Sequence, residues 1–186
     1  MAKLTLKEFR CVVDTDEMGD ESPYFLTWVG DLRIQDCRLK FTRKAFWENK
    51  VSPGPWWPVN DVVVDSDDFD LNPLRTLALS AMVEEDEGTD LKGVEVEAIN
   101  DRMRTVLRSH AELFQAQDPQ FISTMRNTLR SEILGKLSSA VGADDDLMEE
   151  DGHRAVRRVV LTGTGNLDLV TFKGGNGEYQ ARYRKD

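Results

Sequence analysis

INDRMRTVLRSHAELFQAQDPQFISTMRNTLRSEILGKLSSAV, residues 99–141, is the stretch whose period decides the fold. Ile99, Met103, Val106, Leu107, His110, Leu113 and Phe114 recur at intervals of three and four, which marks one face of a helix. Phe121, Ile122, Met125, Leu129, Ile133, Leu134, Leu137 and Val141 repeat the pattern. Between the runs, Asp118 stands where a helix cap belongs and Pro119 suits the first helical position. The spacing therefore predicts a helical hairpin over about 91–142, with Gly142 as its stop and ADDDLMEED (143–151) as a solvated acidic linker.

On either side of the hairpin the period shortens. LTLKEFRCVV (4–13), PYFLTWVG (23–30), RIQDCRLKFT (33–42), VNDVVVD (59–65) and LRTLALSAMV (74–83) are β-branched and aromatic runs set apart by Gly, Pro and Asp. Beyond the linker, RAVRRVVLTGTGNLDLVTFKGGNGEYQARYRK (154–185) returns to strands, with GTGN and GGNG as turns whose glycines supply positive φ. Strands before and after the helices make the hairpin an insertion. The expected fold is α+β, mainly β: one antiparallel β-sandwich domain over 1–186 that carries an inserted α-helical hairpin.

Composition narrows the function. Forty per cent hydrophobic and 31% charged residues are values of a globular chain with a core. A net charge of −10 opposes a phosphate-backbone binder, and the one short basic run is Arg154, Arg157 and Arg158. No nucleic-acid partner is expected. No apolar run reaches the ~20 residues of a membrane span. MAKLTLKEFR lacks the apolar region of a signal peptide, so cytoplasmic synthesis is expected, with a non-classical export route left open. Cys11 and Cys37 are too few for a disulfide framework or a thiolate zinc site and read as reduced packing residues, with a single bridge as the alternative.

The chemistry that stands out is acidic. In CVVDTDEMGDESPYFLTWVGD (11–31), Asp14, Asp16, Glu17, Asp20 and Glu21 crowd between two strand-like runs. VEEDEGTD (83–90) repeats the arrangement with Glu84, Glu85, Asp86, Glu87 and Asp90, directly after a strand. Like charges this close repel unless solvent or a cation compensates them. Calcium takes six to eight oxygens at about 2.3–2.6 Å, and loop carboxylates and carbonyls provide them. DTDEMGD opens like an EF-hand loop, but Met18 and Phe25 occupy positions that need oxygen ligands. The expected metal ligands are Asp14, Asp16, Glu17, Asp20, Glu21, Glu85, Asp86 and Asp90, with Gly19 and Gly88 bending the loops. VDSDDFD (64–70) reads as surface.

The segments FRC…DTDEMGDESPY, FDLNP…TLALSAMVEEDEGTD, the helical pair and the closing DLVTFKGGNGEYQARYR together resemble a poorly characterised group of bacterial C2-like β-sandwich modules with acidic loops. The resemblance implies calcium held at one end of the sandwich by the two loops. It implies no reaction, and the long helical insertion departs from ordinary C2 domains, so lipid binding does not carry over.

Other signals are weaker. PWWP, residues 55–58, spells a chromatin-reading motif, but its acidic, β-rich context does not fit one; Trp56 and Trp57 read as a core edge or contact patch. His110 lies on an apolar helix face and reads as packed, and no nucleophile elbow, zincin or phosphate-loop motif occurs. The expectation is a non-enzymatic calcium-binding interaction module with a protein partner or self-association. A metal-free assembly protein using the hairpin and Trp56/Trp57 is the alternative, and a metal-dependent hydrolase the third reading.

Overall fold

The computed structural model describes residues 2–13, 23–43, 53–65, 67, 69–84, 91, 93–112, 115–138, 146–149, 154–161, 163–174 and 177–186. Five strands come first: β1 (Lys3–Val13), β2 (Tyr24–Asp31), β3 (Asp36–Arg43), β4 (Trp57–Asp65) and β5 (Thr76–Glu84). Helices α1 (Gly93–His110) and α2 (Pro119–Leu137) follow, then β6 (Asp146–Leu147), β7 (Arg157–Val159), β8 (Leu167–Gly174) and β9 (Gly177–Lys185).

The strands form two antiparallel sheets. Sheet one runs β4-β1-β9-β8, and sheet two runs β3-β2-β5-β6, with β7 also pairing along β5. The helices cover the far face of sheet two, so this sheet has an apolar partner on both sides. Every residue of β2 and β5 is accordingly buried. The period of two sorts their side chains. Phe25 and Val29 join Leu6, Phe9, Phe172 and Tyr179 between the sheets. Leu26 and Trp28 turn the other way and pack with Met103, Leu107, Phe121 and Met125 beneath the helices. The apolar stripes of both helices are thus spent on sheet two and on each other.

Asp118 caps α2 as expected: its Oδ1 accepts from the amides of Gln120 at 2.8 Å and Phe121 at 3.2 Å. The helix ends sooner than Gly142, at Leu137, where the Ser138 amide donates to Leu134 O at 2.9 Å. Leu137 is the last buried residue of the described helix, and Val141 and Gly142 lie outside the described residues. The acidic linker also differs from expectation. Its Leu147 and Met148 are buried, and β6 adds to β5 with Leu147 opposite Val83. Two apolar residues suffice to seat the segment on an open strand edge.

Gly163 and Gly165 have φ of 58° and 85°, as the GTGN turn requires. In GGNG, Gly174 is needed for a different reason: a Cβ there would lie 2.5 Å from the Glu149 amide nitrogen, so a side chain would force sheet one away from the segment after β6. Cys11 and Cys37 are free and buried, one in each core. Burial pushes the Cys37 thiol up to about 11.

Candidate functional site

Asp14, Asp16, Glu17, Asp20, Glu21, Glu85, Asp86 and Asp90 all lie outside the described residues, as do Gly19 and Gly88. Among the described residues no group of three or more His, Cys, Asp or Glu is arranged to hold a metal. The strand ends from which the acidic segments leave are described, and they share one rim. Tyr24, at the start of β2, pairs with Val83 near the end of β5. Val13, at the end of β1, pairs with Glu178 of β9. The next residue of β9, Tyr179, is fully buried and its hydroxyl donates to Glu84 Oε1 at 3.5 Å, reaching from sheet one to sheet two. Glu84 is the one member of the acidic sets that is described: it is buried, and it faces inward. On the same rim, β6 begins opposite Glu84, and Met148 N donates to Met82 O at 3.1 Å. Residues 14–22 and 85–90 are therefore anchored on neighbouring strand ends.

A second polar pin fixes the sheets further in. The Tyr183 hydroxyl lies 2.8 Å from both Thr27 Oγ1 and Ser80 Oγ, and all three residues are buried. Tyr179, Ala181 and Tyr183 alternate inward along β9, so one strand carries both pins.

Two clefts lie against the helices, and their charges differ. The larger, about 440 Å³, sits between β3 and α1. Of its two arginines, Arg38 and Arg104, the second is matched by carboxylates: Arg104 Nε donates to Asp36 Oδ1 at 2.7 Å, and Asp101 also pairs with Arg104. Burial opposes ionisation of Asp36, yet hydrogen bonds from Arg104 and the Cys37 amide hold its carboxyl below the usual carboxylate range. Arg104 of α1 thus closes over the start of β3, and the exposed Arg108 donates from Nε to Gln35 O, just before that strand, at 3.1 Å.

The second cleft, about 370 Å³, lies between α2 and the segment leading into β7. Ser123, Arg126, Asn127 and Arg130 line it from α2, at helical spacings of three and four that place them on one stripe. Glu149 and Arg154 face them from the other side. Arg130 is matched by Glu149 at 2.5 Å, and Arg158 donates to the Gln117 side chain. Arg126 is not matched: its Nε is buried with no acceptor among the described residues. Burial first, then the positive charges of Arg154, Arg157 and Arg158, lower the pKa of its guanidinium. Of these residues the sequence drew attention only to Arg154, Arg157 and Arg158.

The remaining signals resolve locally. His110 Nδ1 lies 2.9 Å from Val106 O, and its ring sits 6.5 Å from that of Phe121, so it is a packed helix residue. Trp57 packs against the intersheet core, whereas Trp56 lies under Arg10 at 4.7 Å and Arg182 at 3.8 Å on the outer face of sheet one. Asp65, Asp67 and Asp70 are exposed, as expected of VDSDDFD. No described helix is long and apolar enough to cross a membrane. No protein-family model, curated protein or solved structure matches the chain.

Proposed function

We propose that the chain is a C2-like, non-enzymatic interaction module that takes calcium in its acidic loops and is ordered by it. The observation that supports this reading is the common rim. Val13, Tyr24 and Glu84 are linked by the Val13–Glu178 and Tyr24–Val83 pairs and by the Tyr179–Glu84 hydrogen bond. Segments that leave adjacent strand ends and carry Asp14, Asp16, Glu17, Asp20, Glu21, Glu85, Asp86 and Asp90 can meet over short distances. Without a cation their charges repel; with one, carboxylates from both segments converge and a surface for a protein partner becomes fixed.

The test is thermal unfolding of EDTA-stripped protein with calcium, with magnesium and with neither. A cation at a hundred times its Kd stabilises by about 2.7 kcal/mol. For a chain of this size that is a rise of roughly 5–11 °C in Tm. The rise should be calcium-selective and should vanish in Asp16→Asn and Asp86→Asn. No calcium-dependent shift would leave the metal-free assembly reading. In its favour stands Trp56, whose ring and two guanidiniums form a half-exposed contact patch on sheet one.

A further inference from the structure

We infer that the cleft between α2 and the 154–156 segment binds a multiply charged oxyanion of the phosphate class, borne by a small molecule. Three observations carry this, and none depends on the calcium reading. The first is charge. Arg126, Arg130 and Arg154 line the cleft, Arg157 and Arg158 stand near enough to act on Arg126, and the described carboxylates beside these arginines are Glu149, on Arg130, and Asp168, near Arg158. Among the described residues, five guanidiniums against two carboxylates leave positive charge in excess there, on a chain whose net charge is −10.

The second is the state of Arg126. A half-buried guanidinium whose Nε is shut off from solvent without an acceptor, pressed by three neighbours of its own sign, is costly in the absence of an anion. Two other part-buried arginines are matched by carboxylates: Arg104 has Asp36 and Asp101, and Arg182 has Glu8 at 2.7 Å. Asp168, the other described acid near by, is already engaged, since its Oδ2 accepts from the Val160 amide at 2.6 Å.

The third is shape and donor type. A cleft of about 370 Å³ exceeds a bare ion and falls in the range of small-molecule sites. Guanidiniums donate in planar pairs that match phosphate oxygens bidentately, and Ser123 and Asn127 add neutral groups on the same helix stripe. A doubly charged phosphate ester balances most of the excess charge, which a single carboxylate does not.

The experiment is calorimetric titration and thermal unfolding with inorganic phosphate, pyrophosphate and citrate, at one ionic strength held with sodium chloride and without calcium. Phosphate and pyrophosphate should bind and raise Tm, pyrophosphate more strongly. Arg126→Gln and Arg154→Gln should each weaken binding at least ten-fold. Asn127→Asp, at an exposed position that folding tolerates, places a carboxylate among the arginines. It should abolish the phosphate response and raise the Tm of the anion-free protein. Arg33→Gln, which removes an exposed pair with Asp70, should leave phosphate binding unchanged. The inference is overturned if phosphate and pyrophosphate do not bind, if Arg126→Gln and Asn127→Asp bind as well as the parent, or if citrate equals pyrophosphate.

Discussion

Tyr183→Phe is the sharpest probe of what holds the two sheets in register. It deletes one oxygen and leaves the ring in place between them. In the native protein that oxygen lies 2.8 Å from Thr27 Oγ1 and 2.8 Å from Ser80 Oγ, on strands of the opposite sheet. Thr27 and Ser80 have no solvent exposure, so no water replaces the lost partner. A buried hydroxyl left unmatched costs about 1–3 kcal/mol. Thr27 and Ser80 are cross-strand partners, so one hydroxyl can turn toward the other, and the combined loss is about 2–4 kcal/mol. That corresponds to a fall in Tm of roughly 4–16 °C. Urea unfolding followed by circular dichroism measures it. Adding Thr27→Val and Ser80→Ala should then recover most of the loss, because removing all the partners leaves nothing unsatisfied. The pin also has a pH signature. Burial, opposed by the hydrogen bonds to Ser80 and Thr27, pushes the Tyr183 hydroxyl up from 10.0 to about 12. Below pH 10 folded and unfolded chains both keep the proton and stability is full. Between pH 10 and 12 only the folded state keeps it, so stability drains away as pH rises through that range. Tyr183→Phe should flatten that limb relative to the parent. A single variant that loses under about 0.5 kcal/mol, or a triple variant no better than the single, would refute the pin.

Three further outcomes follow from single contacts. Asp118→Ala removes the acceptor for two amides at the start of α2 and should lower stability by about 1 kcal/mol, read as a shift in urea midpoint at constant slope. Gly174→Ala drives a Cβ to 2.5 Å from the Glu149 nitrogen and should cost about 1–3 kcal/mol, with hydrogen exchange quickening first at Leu147 and Met148. Cys11 and Cys37 should resist a thiol reagent at pH 8 until denaturant is added, since both are buried and the Cys37 thiol sits at about 11; prompt labelling of the native protein would contradict the packing described.

Much of the fold is legible in the sequence, because it rests on local patterns. The change from strand runs to a three-and-four repeat at Ile99, the Asp118–Pro119 cap and the glycines of GTGN are short-range signals with one reading each. What escapes is set by distance along the chain. No local rule pairs β1 with β9, some 170 residues apart, or tells that sheet two is the middle layer. The unbroken burial of Leu26, Thr27, Trp28 and Val29 marks that layer afterwards, but in sequence those residues read as any apolar strand. β6 escapes for the opposite reason: Leu147 and Met148 are two apolar residues among acids, and only the open edge of β5 makes them a strand.

The two candidate sites differ in the same way. Acidic loops announce themselves because their charges are neighbours in sequence, and the strand register then shows that their anchors share a rim. The arginine cleft is assembled from positions about thirty residues apart, on a helix stripe and a strand approach, each unremarkable alone. Net charge actively conceals it. A sum of −10 runs over every residue equally, whereas a buried guanidinium responds to charges within a Debye length of about 8–10 Å. Around Arg126 the described neighbours include Arg154, Arg157 and Arg158, and after burial their charges are what lowers the pKa of its guanidinium. An acidic composition therefore argues against a long basic surface of the kind that tracks a nucleic-acid backbone. It carries no weight against one cleft, a few residues wide, in which the local sign is reversed.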